Sequence, residues 1–203
     1  VSLALALLAS SLVAPDIGQK QAFWLLGRYN SGNPAPQGAA AEVFLTLSPE
    51  GKVSACRTGE LIGERVSAQK VCRIVMGMPV DPATVDGKPV WGAIHTLIAS
   101  FQPGEQKGRK VAATALAPEL ALVVNTLPNG ADQPLEVVVY TMISPEGRIT
   151  ECMGRDGQNA KYAEVACTQL SGATHDIVKT STGEPVTYVR SFRASFSKQE
   201  TPK

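Results

Sequence analysis

Four cysteines, two histidines and a repeated glutamate are the residues of this 203-residue chain whose types and spacing could do chemistry. Cys56 and Cys72 are 16 residues apart, and Cys152 and Cys167 are 15 apart. Loops of that length, closed as disulfides, would each stabilise a fold by about 3 kcal/mol in the chain-entropy picture. Zinc binding is a weaker expectation, because no Cys-x-x-Cys pair is present. Reduced, buried thiols are the third reading. His95 sits among Ile94, Leu97 and Ile98 and reads as a structural or rim residue. His175 adjoins Asp176, a pair that can orient an acid–base group. No serine or cysteine nucleophile motif accompanies it. Glu50 and Glu146 look like paired carboxylates, but turn chemistry accounts for both. A Gly-x-Ser-x-Gly elbow, a phosphate loop and a zinc helix motif are all missing, so the reading is non-enzymatic, with no cofactor and no metal site.

These residues are carried by an internal repeat. Ser48-Pro49-Glu50-Gly51-Lys52 returns as Ser144-Pro145-Glu146-Gly147-Arg148, an offset of 96 from Ser48 to Ser144. Val43-Phe44 matches Val139-Tyr140, Cys56 matches Cys152, and Gly87-Lys88-Pro89-Val90 matches Gly183-Glu184-Pro185-Val186. Cys167 and Ala194-Ser195-Phe196 follow one residue out of step. Each copy reads as a strand (Glu42–Leu47; Glu136–Ile143), a Ser-Pro-Glu-Gly turn, and a returning strand (Lys52–Thr58; Arg148–Gly154). Pro presets the first corner and Gly takes the left-handed position, which gives a hairpin with a bulge. Val53 and Cys56 differ by three, so a second bulge, or burial on both faces, is needed to reconcile them. A helix follows (Glu64–Met76; Ala160–Leu170), stopping before Gly77 and Gly172, and a third strand closes the unit (Val90–Phe101; Val186–Phe196). The expected fold class is therefore α+β: two tandem β-β-α-β modules, each a helix packed on a small antiparallel sheet. Leu120–Val124 reads as an extra strand, with Trp24–Arg28 as its counterpart.

Composition sets the outer bounds. Charged residues make up 18% and the net charge is +1, so no field attracts nucleic acid or an anionic membrane. Residues Val1 to Ala14 carry no charge, too few for the roughly 20 that span a bilayer but suited to the apolar part of a signal peptide. The expected organisation is 1–20 as signal peptide or short anchor, 21–103 as the first module, 104–110 as a linker, and 111–203 as the second. Export agrees with the paired cysteines.

The pattern of strand, Ser-Pro-Glu-Gly-Lys/Arg-Val/Ile, Cys, helix, Gly-x-Pro-Val and final strand resembles the C-terminal domain of TonB-family proteins. It is closest to the variants with one Cys in the second strand and another in the helix. The likeness covers about Glu42–Phe101 and Glu136–Phe196. It implies a periplasmic location and contact with other envelope proteins, an outer-membrane protein among the candidates, through pairing at a sheet edge. A typical energy transducer has a membrane helix, a long proline-rich spacer and one such domain, whereas this chain repeats the domain and has no such spacer. The expectation is thus an exported interaction protein touching the membrane only through an N-terminal anchor, if at all. TonB-like energy transduction is the alternative, and an enzyme using His175 and Asp176 the second alternative.

Overall fold

A computed structural model describes residues 11–18, 25, 38–100, 116–128, 133–155 and 159–199. The strands are β1 (Leu12–Val13), β2 (Ala39–Leu47), β3 (Val53–Gly63), β4 (Ala83–Val85), β5 (Lys88–Ser100), β6 (Leu120–Val124), β7 (Leu135–Ile143), β8 (Ile149–Gly154) and β9 (Tyr188–Lys198). The helices are α1 (Arg65–Ala68), α2 (Val71–Val75) and α3 (Ala160–Ser171).

The two repeats do not fold as tandem β-β-α-β modules. The chain is mostly β, and its strands merge into one nearly closed, barrel-like sheet. The join is parallel: Trp91, Gly92 and Ala93 of β5 pair with Tyr188, Val189 and Arg190 of β9. A hydrophobic repeat pattern reports which face of a strand is buried, not which strand lies at its edge, so the sequence is silent on this join. The outer strands follow on each side, giving the order β3-β2-β5-β9-β7-β8. Beyond Ala93 the two central strands part, and β6 enters alongside β9, Leu120 opposite Ala194.

The join sends alternate residues of β5 into different cores. Ile94 and Ile98 pack with Val43, Leu45, Val71 and Val75 beneath α1 and α2. Trp91 and Ala93 pack instead with Val139, Ala166 and Phe192 beneath α3. Successive strand residues face opposite ways, so the helices of the two repeats lie on opposite faces of the common sheet. The order of strands about the parallel join corresponds to an approximate two-fold axis running along the strands.

Within each repeat the hairpin matches its counterpart. Gly51 N–H donates to the Ser48 carbonyl at 3.0 Å, and Gly147 N–H to Ser144 at 2.9 Å. Both second strands carry the bulge that Val53 and Cys56 require, at Thr46/Leu47 and at Met142/Ile143. It returns Val53, Cys56 and their neighbours to the same core. The expected helix over 64–76 is instead the two short turns α1 and α2, preceded by a β3 that runs on to Gly63. The Trp24–Arg28 counterpart lies outside the described residues except for Leu25, and so does the linker 104–110.

Gly51 and Gly147 have φ of +71° and +78°, and a Cβ on either would lie 2.5 or 2.4 Å from the carbonyl oxygen of Val80 or His175. Gly183, at φ +88°, has nothing within 4 Å. Gly51→Ala and Gly147→Ala should each cost at least about 2 kcal/mol, and Gly183→Ala only about 1 kcal/mol. Urea unfolding of the three variants checks the order.

Candidate functional site

The four cysteines form two disulfides, Cys56–Cys72 and Cys152–Cys167, with Cα–Cα separations of 5.4 and 5.7 Å. They tie α2 to β3 and α3 to β8. Among the described residues there is no group of three or more His, Cys, Asp or Glu arranged for a metal ion.

Where β5 and β9 part, four ionisable side chains from both repeats meet. Glu42 comes from β2, His95 from β5, Arg190 from β9, and Glu119 from the residue just before β6. His95 Nε2 donates to Glu42 Oε1 at 2.7 Å, and Nδ1 donates to Glu119 Oε1 at 3.0 Å. With a carboxylate at each nitrogen, the ring satisfies both contacts as a donor when it carries both protons, so the site favours the imidazolium. Arg190 donates to the same Glu119 oxygen. The other oxygen of Glu119 accepts the Arg193 backbone N–H at 2.9 Å, and the other oxygen of Glu42 accepts the Glu60 N–H at 2.8 Å. Two carboxylates and two cations balance in a half-buried place, the condition for keeping charge there.

The titration shifts follow. Hydrogen bonding to Glu119 raises His95 above its ordinary value; burial opposes this and Glu42 reinforces it. For Glu119, burial is the largest influence and pushes upward, but His95, Arg190 and the Arg193 N–H together bring it below 4.5. The Glu60 N–H leads in holding Glu42 low. A raised His95 contributes stability fully below its unfolded value near 6.5 and loses it as pH rises through the folded value. The lowered glutamates contribute above about 4.5 and lose it as pH falls through their folded values. The cluster should therefore stabilise most between about pH 4.5 and 6.5. Melting scans from pH 5 to 9 should show stability falling on the alkaline side, and His95→Gln should remove that slope.

His95 also forms the wall of an open cleft of 710 Å³. Its ring stacks on Phe44 at 4.3 Å and 8°, and the Arg57 guanidinium lies 3.9 Å over the other face of Phe44. This is a cation–aromatic–cation layer on the face of the first repeat opposite its core. Across the cleft, the segment from Asp176 to Thr180 comes from the second repeat, and Asp176 meets Arg57 at 3.5 Å. Both of those side chains are exposed, so the pair itself is worth at most about 1 kcal/mol.

His175 and Asp176 are not brought together as an acid–base pair. His175 Nε2 donates to the Leu170 carbonyl at 2.9 Å, at the end of α3, and its ring faces Phe192. Asp176 turns to Arg57. Glu50 and Glu146 stand in their two hairpin turns. The Ser144 hydroxyl donates to Glu146 at 2.7 Å and holds its carboxyl below the ordinary value, and Ser48 does the same for Glu50. Glu119, which meets His95 of the first repeat and Arg190 of the second, and Arg190 itself were not singled out from sequence. A signal for Glu119 exists: Ala117-Pro118-Glu119-Leu120 echoes Ala14-Pro15-Asp16-Ile17, outside the 96-residue offset.

Residues 1–10 of the expected signal or anchor segment lie outside the described residues. Leu12 and Val13 do not hang free. They pair with Val85 and Thr84 of β4, and Leu12 and Ala14 are buried with Ala83 and Val189. No helix among the described residues is long and apolar enough to cross a membrane.

Compared with protein-family models, curated proteins and solved structures, the chain matches none.

Proposed function

We propose that this is an exported envelope protein that binds another protein through the edges of its sheet. The observation carrying the reading is that the merged sheet ends in two outer strands. Among the described residues β2 is the only strand paired with β3, whose outer side is met only at Val53 by Gly77 and Met78, and β7 is the only strand paired with β8. An open strand edge is a template for an added strand. The repeat's resemblance to TonB C-terminal domains supports the same mode and favours the periplasm. The two disulfides suggest an oxidising, exported environment. TonB-like energy transduction remains the alternative function and would use the same edge pairing.

The test is photo-crosslinking in the intact envelope. A crosslinker replaces Ser54 on β3 or Thr150 on β8, both exposed, with Glu164 on α3 as control. Adducts to another protein from an outer-strand position, and none from Glu164, are expected. Adducts from neither strand would refute edge binding.

A further inference from the structure

We infer that the cleft between Phe44, Arg57 and the Val178–Thr180 segment receives an extended acidic peptide of a partner protein, as an added strand. This goes beyond the edge-binding reading above: it keeps strand addition as the mode and places a further acceptor, distinct from β3 and β8, with the chemistry of its ligand.

Among the described residues the same groove occurs twice and is filled once. In the first repeat, β4 pairs with the start of β5, Thr84 opposite Pro89. In the second, Lys179 stands opposite Pro185, Thr180 N–H donates to Glu184, and Val186 N–H donates to Val178. Val178–Thr180 is therefore the counterpart of β4, reached through equivalent bonds from the turns, Val80 N–H to Gly51 and His175 N–H to Gly147. The far side of β4 is occupied by β1, Val13 opposite Thr84 and Leu12 opposite Val85. Along an antiparallel strand the backbone groups alternate in direction, so the Lys179 N–H and C=O face away from Pro185. Among the described residues no strand pairs there. The sequence echo of β1's flank, Ala117 to Leu120, takes another course: Glu119 lines a separate 240 Å³ pocket at the split of β5 and β9, and Leu120 begins β6.

The two groove floors differ in a way that specifies the occupant. Under β1 the floor is Tyr140, Met142, Met153 and Val189, and Leu12 N–H points to Met153 Sδ at 3.4 Å. At the offset of 96 the open cleft has Phe44, Thr46, Arg57 and Ala93 instead. An apolar strand such as β1 matches methionine and valine. A strand for the open cleft needs a carboxylate where Leu12 would sit, to meet Arg57. His95 and Arg190 in the wall are already balanced by Glu42 and Glu119, so Arg57 and Lys179 at the rim, against Asp176, set the positive side.

The experiment uses the full, disulfide-intact chain and the strand-forming heptapeptide TVEVEVT, acetylated and amidated, with a twin carrying Lys for each Glu. Binding is followed by amide chemical shifts and by anisotropy of labelled peptide at low salt. The acidic peptide should bind about tenfold more tightly than its twin, shift the amides of 177–181, and weaken about tenfold in Arg57→Glu but little in Arg57→Lys. Equal affinity for the two peptides, undiminished binding in Arg57→Glu, or no binding of the acidic peptide at about 1 mM overturns the proposal. Shifts confined to β3 or β8 also overturn it while leaving the broader edge reading intact. That reading fails separately if the envelope crosslinks from Ser54 and Thr150 are absent. A cleft already closed by residues 101–115 of the same chain, or by a second copy, would show as failure to bind either peptide and would count against a partner.

Discussion

Replacing Cys56 and Cys72 together by alanine is expected to lower stability by about 3 kcal/mol and to loosen residues 65–76 before the rest of the fold. The disulfide joins β3 to α2, and the helical segment it anchors is only the four-residue α1 and the five-residue α2. Single helical turns have no independent stability, because nucleation costs more than a few bonds return. They hold here because Ala68, Val71 and Val75 are fully buried and the disulfide limits their escape. Removing Cys152 and Cys167 should cost a similar amount globally but leave α3 largely formed. That helix has twelve residues and buries Ala163, Ala166 and Leu170. Urea unfolding gives the global losses, and limited proteolysis gives the asymmetry. Cleavage within 65–76 should accelerate far more in the first variant than cleavage within α3 in the second. Equal protection of both helices would show that the disulfides do not carry this difference.

Glu119→Ala is expected to be as damaging, by about 3–5 kcal/mol, because it strands charges rather than merely deleting a contact. Arg190 is 9% exposed, and the removed carboxylate also serves His95 and the Arg193 N–H. Glu119→Gln should cost less, since an amide oxygen still accepts from Arg190. In the pair Glu119→Leu with Arg190→Met, the loss should fall short of the sum of the single changes by about 1–3 kcal/mol. Denaturant unfolding of the four proteins measures this coupling. Additivity would mean that Glu119 and Arg190 are not energetically coupled.

Much of each repeat was legible from sequence because its signals are local. The Ser-Pro-Glu-Gly turns fix two hairpins through glycines that must take positive φ, and the cysteine spacing matched a strand and a helix already placed side by side. The three-residue interval from Val53 to Cys56 required the bulge that is found. The merger of the repeats was not legible. It depends on three residue pairs between β5 and β9, and a strand such as Trp91–Ala93, apolar on both faces, reads alike at an edge or in a centre. The partners of His95 were not legible for a related reason. Its partners Glu42 and Glu119 lie 53 and 24 residues away, and only the parting of β5 and β9 assembles them. Within 64–76 a helical pattern was read correctly as helical spacing but not as two separate turns. Gln69 and Lys70 stand between them.

The central claim is that backbone edges of this sheet capture another protein. Amide hydrogen exchange followed by mass spectrometry, with the full chain in buffer or with detergent-solubilised envelope proteins, tests it most directly. The account predicts slower exchange in the outer-strand peptides 53–63 or 149–154, with α3 unchanged. Identical exchange in both of those segments, or protection confined to α3, would contradict it.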